Sequence, residues 1–287
     1  MSMRAFRTVQ ALQSYLSSIR GSQTIGFVPT MGALHEGHLA LVRQSLRRDD
    51  CTVVSIFVNP TQFNDPEDYR LYPRSVDSDM ALLEHEGVDV VFIPSESEIY
   101  PHGRDAWEPI DLGGLDQILE GAHRPGHFQG VAQVVKRLLD IVQPHRLYLG
   151  QKDYQQIAVI RKMLHHFQLP VEIVEVPTVR EPSGLAMSSR NQRLSALDRL
   201  RASRLFEALV YLEQMYHDDV PLLTALQHAQ DMLDLPDFRL EYLVVCDAQT
   251  FRVLQTWKDA PQKIALLACW VKDVRLIDNL PLDTPSS

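Results

Sequence analysis

Apolar, β-branched runs alternate with amphipathic helical stretches between residues 24 and 179, and this alternation is the feature that most restricts the fold. The strand-like runs are TIGFVPT (24–30), CTVVSIFV (51–58), VDVVFIP (88–94), HRLYLG (145–150) and VEIVEVPTV (171–179). A run such as CTVVSIFV is typical of a strand buried on both faces of a parallel sheet. The pattern predicts an α/β fold with a Rossmann-like open parallel sheet.

The pattern changes after Arg190. A long helix is predicted over 195–216, with Ser195 as its cap, and a second helix near 221–234. Three strand-like runs follow, at 238–247, 252–257 and 263–278. Helices followed by strands predict a smaller C-terminal α+β domain, so we expect one domain over 1–178 and another over 179–287.

Charge and cysteine content exclude several classes of protein. Lys and Arg number 28 against 37 Asp and Glu, a formal net charge of −9, which disfavours a nucleic-acid surface. No apolar run is long enough to span a membrane, and no secretory signal precedes the first strand. The three cysteines are scattered, which predicts buried thiols in a cytoplasmic protein.

Residues unusual for a core follow several of the predicted strands, where an open α/β sheet binds its ligands. After the first, second, fourth and fifth strands these residues are Met31, His35 and His38; Asn59 and Gln62; Lys152, Asp153 and Gln156; and Ser188, Ser189 and Arg190. The convergence of four loops on one edge predicts a single site there.

His35 and His38 are three residues apart at the start of a predicted helix, so they share a face. A helix N-terminus attracts anions, and two imidazoles can add donors for the phosphates of a departing pyrophosphate. A helix cap or surface residues would be alternatives, and the spacing is unlike that of a zinc-binding helix. Because the other loops converge here, we favour phosphate chemistry. Phosphate-loop, dinucleotide-binding, GxSxG and CxxC motifs are absent from the sequence.

The motifs HEGH (35–38) and MSSRN (187–191) resemble those of the HIGH-type nucleotidyltransferase superfamily. FVPTMGALHEGH, SIFVNPTQF, LEGAHRPGHFQGVAQVV, GQKDYQQIAVIRKM, VPTVREPSGLAMSSRN and VRLIDN are more specifically similar to the pantothenate synthetase (pantoate–β-alanine ligase) family. The resemblance implies that ATP and pantoate form a pantoyl adenylate and pyrophosphate. The amine of β-alanine then attacks the acyl carbon and releases pantothenate and AMP.

The same resemblance implies the roles of individual residues. Catalytic roles fall to His38, as the general acid, and to His35, Lys152 and Arg190. ATP would be bound by Met31, Gly32, Ala33, Leu34, His35, Glu36, Gly37, His38, Gly150, Gln151, Lys152, Asp153, Val179, Met187, Ser188, Ser189 and Arg190. Pantoate would be held by Gln62 and Gln156, with Gln62 also reaching β-alanine. The family implies Mg²⁺ bound chiefly by phosphate oxygens, and a homodimer.

Several residues keep alternative interpretations. Lys152 would also suit a surface ion pair, and Ser188 and Ser189 would also suit helix caps. His123 and His127, which flank the RPG turn, fit either a mobile flap over the substrate or a surface turn. Asp77 and Asp79 would serve either Mg²⁺ or a helix N-terminus. The C-terminal domain is expected to act as a lid, with Gly184 as its hinge.

Three other functions compete with a ligase. A nucleotidylyltransferase would leave the nucleotide on its product, whereas a ligase releases free AMP. An aminoacyl-tRNA synthetase is disfavoured by the net charge, and a catalytically inactive nucleotide sensor would not need His35, His38, Lys152 and Arg190 together.

Overall fold

The computed structural model describes residues 3–282. The chain divides into two compact units, Met1–Pro177 and Thr178–Ser287. No helix among the described residues combines the length and the apolar character needed to cross a membrane.

Six parallel strands form one sheet in the described part of the first unit. They are β1 (Arg4–Phe6), β2 (Ile25–Thr30), β3 (Cys51–Ile56), β4 (Val90–Phe92), β5 (Arg146–Gly150) and β6 (Glu172–Val176). Their order across the sheet is β1-β4-β3-β2-β5-β6, and all neighbours pair in parallel. Every residue of β3 is buried, as its apolar run predicts. The short edge strand β1 was not predicted.

Helices cover both faces of this sheet. They are α1 (Val9–Ile19), α2 (Glu36–Arg48), α3 (Pro66–Leu71), α4 (Val76–Glu86), α5 (Glu96–Ile99), α6 (Glu120–His123), α7 (His127–Val142) and α8 (Tyr154–His166). Side chains of α2 and α4, such as Val42 and Leu83, share a buried cluster with Val28, Val54 and Val91 of the central strands. Helices α1 and α7 pack together, and α7 contacts both β2 and α8. The predicted Rossmann-like fold is confirmed.

The second unit is a smaller α+β structure, also as predicted. Its helices are α9 (Ala196–Arg201), α10 (Arg204–His217) and α11 (Leu222–Asp231). Strands β7 (Phe238–Asp247), β8 (Lys263–Val271) and β9 (Val274–Leu282) form an antiparallel sheet in that order. Apolar side chains of α10 and α11 pack with those of the sheet into one core.

Three predicted elements of the second unit differ from the structure. The run predicted over 263–278 is two strands, β8 and β9, separated by a turn at Lys272 and Asp273. The helix predicted over 195–216 is two helices, which meet at the buried residues Ala202 and Ser203. Its apolar spacing continues across that break, so periodicity alone cannot reveal it. The segment 252–257 does not form a full strand and pairs with β7 only through a single antiparallel bridge between Val253 and Cys246. The Asp247 carboxylate accepts hydrogen bonds from two backbone amides before this segment, and Asp259 accepts from those of Gln255 and Thr256. Because the amides of Gln255 and Thr256 donate to a carboxylate, the pairing with β7 does not continue past Leu254.

The three cysteines are buried free thiols, as predicted. Burial raises the pKa of the Cys51 thiol on β3 to about 12, and that of Cys246 on β7 equally. The pKa of Cys269 on β8 is raised to about 11 for the same reason.

Candidate active site

The strand order of the first unit reverses between β2 and β5. Four strands follow β2 in sequence. In the sheet, β3 and β4 lie on one side of β2, and β5 and β6 lie on the other. Such a switch point opens a crevice at the carboxyl ends of the strands. The loops after β2, β3 and β5 leave the sheet at this edge because the strands are parallel. They carry the residues predicted from the sequence for the first unit.

His35 and His38 together cap helix α2. His35 is the N-cap residue, and its Nδ1 accepts a hydrogen bond from the amide of Gly37 at 3.2 Å. In return, the His35 amide donates to Nδ1 of His38 at 3.3 Å. The two ring centroids are 4.1 Å apart. This reciprocal arrangement is a capping box built from two imidazoles, so the helix cap that was one alternative for these residues is present.

The environment of His38 keeps its imidazole neutral. Desolvation is the main cause that lowers the pKa of His38 to about 3, and the charges of His35 and Lys152 contribute to the same shift. Because Nδ1 accepts from a backbone amide, the single proton of the neutral ring lies on Nε2. His38 can therefore offer an Nε2–H donor at neutral pH without being an imidazolium.

This lowered pKa predicts an acid-sensitive contribution to stability. Below about pH 6.5 the unfolded chain protonates at His38, whereas the folded protein does not until about pH 3. Stability is therefore lost as the pH falls through this window, by up to about 1.4 kcal/mol per pH unit. Urea unfolding of wild type and His38→Ala at pH 7, 6 and 5 should show a smaller acid loss in the variant. His165→Ala, at an exposed site on α8, should behave as wild type. Equal acid losses in wild type and His38→Ala would contradict this assignment.

Lys152 lies in the 3₁₀ turn Gln151–Asp153, between β5 and α8. Its side chain is 20% exposed, and its Nζ is 3.8 Å from an Asp153 carboxylate oxygen. The positive charge of Lys152 helps to lower the pKa of His38, so the two side chains interact electrostatically. Gly150 ends β5, and the Gln151 side-chain amide donates to Glu175 at 3.4 Å.

The loop from β2 to α2 has an unusual backbone. Gly32 has a φ of +78° and Ala33 a φ of +49°, which is uncommon for a residue with a side chain. The buried carboxylate of Asp79 accepts hydrogen bonds from the amides of Ala33 and Leu34, at 2.9 and 2.8 Å. Asp79, in the first turn of α4, thus holds the loop that leads to the histidines. The sequence predicts Asp79 either at a helix N-terminus or near Mg²⁺, and nothing in its pattern indicates this contact.

Two further residues of α2 have local contacts. Glu36, which is exposed, forms an ion pair with Arg43 of the same helix. The amide of Gly37 donates to His35, as described above.

Gln62 ends the 3₁₀ turn Pro60–Gln62 after β3, and it lies beside Met31. Its side-chain amide donates to the Met31 sulfur at 3.2 Å and accepts from Asn59 at 3.1 Å. Asn59 is almost completely buried and also bonds Thr61. The residues predicted for pantoate and for ATP therefore meet at the ends of β2 and β3. Gln156 lies half-buried in the first turn of α8, beyond Lys152.

The remaining predicted residues belong to the second unit. Val179 accepts a backbone hydrogen bond from Met187 at 3.0 Å. Ser188 accepts one from the amide of Arg190 at 3.3 Å and so caps the turn Ser189–Arg193, in which Ser189 is buried. The capping role considered for Ser188 is thus present.

Gly184 is not at the junction between the units. It lies inside the second unit, in a turn closed by the Gly184 amide donating to Glu181, with a φ of +92°. A Cβ added there would lie 2.6 Å from the Phe206 ring. The predicted hinge at Gly184 is therefore misplaced, because the chain passes between the units at Pro177 and Thr178.

An open parallel sheet with an HxGH motif beside its switch point defines a Rossmann-like class of nucleotide-binding α/β proteins. Within that class, the family model described as Pantoate-beta-alanine ligase matches residues 4–281. The chain belongs to this family.

Full-length relatives agree with this assignment. The pantothenate synthetase of Cytophaga hutchinsonii is 44% identical over 281 residues, which cover 97% of this chain and 99% of that protein. The crystal structure of pantothenate synthetase from Thermus thermophilus has a TM-score of 0.92 at 43% identity, covering 98% of this chain and all of the other. Pantoate-beta-alanine ligase from Francisella tularensis, crystallised with beta-gamma ATP and β-alanine, has a TM-score of 0.82 at 38% identity, with both chains covered completely.

Proposed function

We propose that the protein is an ATP-dependent ligase that joins pantoate to β-alanine and releases pantothenate, AMP and pyrophosphate. The observation that carries this proposal is the family match over residues 4–281, together with full-length relatives that are pantothenate synthetases. The polar residues at the switch point are of the types that this chemistry requires.

The first step in this proposal makes an acyl adenylate. A carboxylate oxygen of pantoate attacks the α-phosphorus of ATP, the bond to the bridging oxygen breaks, and pyrophosphate leaves with that electron pair. The reaction brings two anions together and expels a third, so donors and positive charge must be in place beforehand. Lys152 supplies charge, and His38 supplies an Nε2–H to the departing phosphates. Because desolvation lowers the pKa of His38 in the free protein, the proposal gives the neutral ring a hydrogen-bonding role toward those phosphates.

The second step forms the amide. The β-alanine nitrogen attacks the acyl carbon of pantoyl adenylate and gives up a proton. The bond from that carbon to the adenylate oxygen breaks, and AMP leaves with the oxygen that came from the pantoate carboxylate. Gln62 and Gln156 suit the binding of pantoate because an amide both donates to a carboxylate and accepts from a hydroxyl. Gln62 is placed between Met31 and Asn59, which restricts the directions in which its amide can point.

Mg²⁺ fits this site as an ion carried mainly by ATP. Among residues 3–282, no group of three His, Cys, Asp or Glu side chains is arranged to hold a metal. Both oxygens of Asp79 already accept backbone amides. Phosphate oxygens would therefore be its main ligands, and the ion would neutralise their charge.

The ATP-binding roles of Val179, Met187, Ser188, Ser189 and Arg190 stay predictions from the family resemblance. So does a homodimer, and a cytoplasmic location stays a prediction from the scattered cysteines.

Measurement of the products tests the proposed function. With ATP, Mg²⁺ and pantoate, the protein should release pyrophosphate, and addition of β-alanine should give pantothenate and AMP in equal amounts. A product that retains the nucleotide would assign a nucleotidylyltransferase instead. ATP binding without pyrophosphate release under any of these conditions would overturn the ligase proposal.

A further inference from the structure

His127, the first residue of α7, is a buried histidine that the reaction described above does not use. The residue is only 6% exposed, although the sequence suggested a mobile flap or a surface turn. The turn itself is a surface turn, with His123, Pro125 and Gly126 exposed, but the ring of His127 is buried and so belongs to neither an exposed flap nor the exposed part of the turn.

Both ring nitrogens of His127 have partners. Nδ1 is 2.7 Å from the backbone carbonyl oxygen of Gln62, and Nε2 is 3.1 Å from a guanidinium nitrogen of Arg124. A guanidinium only donates hydrogen bonds, so Nε2 must accept. The ring proton therefore lies on Nδ1, which donates to the Gln62 carbonyl.

Helix α7 lies directly against the turn that carries Gln62. A Cβ added at Gly130 would lie 2.2 Å from the Thr61 carbonyl oxygen, so only a glycine permits this approach. The side chain of Asn59 also bonds the Gly130 carbonyl at 3.2 Å. His127 and Gly130 thus hold the backbone of the turn while Asn59 holds the side chain of Gln62.

We propose that His127 is a positioning residue for the acyl-substrate subsite. Its Nδ1–H fixes the carbonyl of Gln62, and through it the direction in which the Gln62 amide meets pantoate and β-alanine. This inference rests on the proposed function, since it concerns the residue assigned to those substrates. It predicts that the loss of His127 affects their binding and leaves ATP binding unchanged.

Three substitutions separate positioning from packing. The Asn amide nitrogen lies where the histidine Nδ1 lies, whereas that of Gln lies near Nε2. His127→Leu and His127→Gln should raise the KM for pantoate and for β-alanine about three- to tenfold, the usual effect of one lost neutral hydrogen bond. The KM for ATP should not change. His127→Asn should restore most of the substrate affinity, and it keeps the test usable if the Leu variant does not fold.

A double-mutant cycle gives the decisive measurement. In a Gln62→Ala background, His127→Gln should raise the KM for pantoate much less than it does in wild type, because the amide that it positions is gone. Equal effects in the two backgrounds, or a rise in the KM for ATP equal to that for pantoate, would overturn the positioning role.

The proposed function is tested separately by the wild-type protein. If wild type forms no pantothenate, the ligase proposal fails. If wild type is active and His127→Gln keeps its affinity for pantoate and β-alanine, only the inference about His127 fails.

Discussion

Replacement of His38 by Ala should slow pyrophosphate release from ATP and pantoate by about 10²- to 10³-fold, the usual cost of losing one preorganised donor to a developing charge. The donor is the Nε2–H of His38 at the start of α2. The ring proton lies on Nε2 because Nδ1 accepts a hydrogen bond from the His35 amide. The measurement is a single-turnover assay of pyrophosphate release, with circular dichroism to verify folding.

Loss of the helix cap must be separated from loss of the donor. His38→Asn can keep an acceptor near the Nδ1 position for the His35 amide, but it has no group at Nε2. It should therefore be as slow as His38→Ala and more stable. His38→Gln can place an amide N–H near Nε2 and should recover part of the rate. Near-wild-type pyrophosphate release by His38→Asn would show that His38 acts only as a cap.

Lys152→Met should also slow the first step by about 10²- to 10³-fold, because it removes the charge proposed to act on the phosphates and keeps most of the aliphatic stem. Lys152→Arg should retain more activity than Lys152→Met, since the positive charge remains. Pyrophosphate release by the two variants, each at saturating ATP and pantoate, measures the difference.

A spectroscopic readout accompanies the change in rate. The charge of Lys152 contributes to the lowered pKa of His38, so Lys152→Met should raise that pKa while burial keeps it below the ordinary value. NMR titration of the His38 imidazole would detect this. Lys258→Met, at an exposed position of the second unit, is the control and should alter neither the rate nor the titration. A Lys152→Met variant with an unchanged rate would remove Lys152 from the site.

The fold was predictable where burial produces a simple pattern. The central strands β2 and β3 are buried on both faces, so their sequences are apolar over most of their length. β1 has only three residues, two of them exposed, and gives no such pattern. The break between α9 and α10 contains neither Pro nor Gly, so no local residue marks it.

The site was predictable to the extent that its residues follow strand ends. The positions of His35, His38 and Lys152 followed from that rule alone. Asp79 and His127 did not, because each acts on a loop far away in sequence through backbone groups. A buried polar residue cannot be told from a solvated one in a single sequence.

The buried cysteines can report on local unfolding in each of the two units through their reaction with an alkylating reagent. Only a thiolate reacts with an alkylating reagent, so thiols that are sequestered and hard to ionise are labelled when their strand opens. Cys51 reports on the first unit, whereas Cys246 and Cys269 report on the second. The order in which mass spectrometry finds these three sites alkylated along a urea gradient would rank the local stabilities of the two units, without any engineered probe.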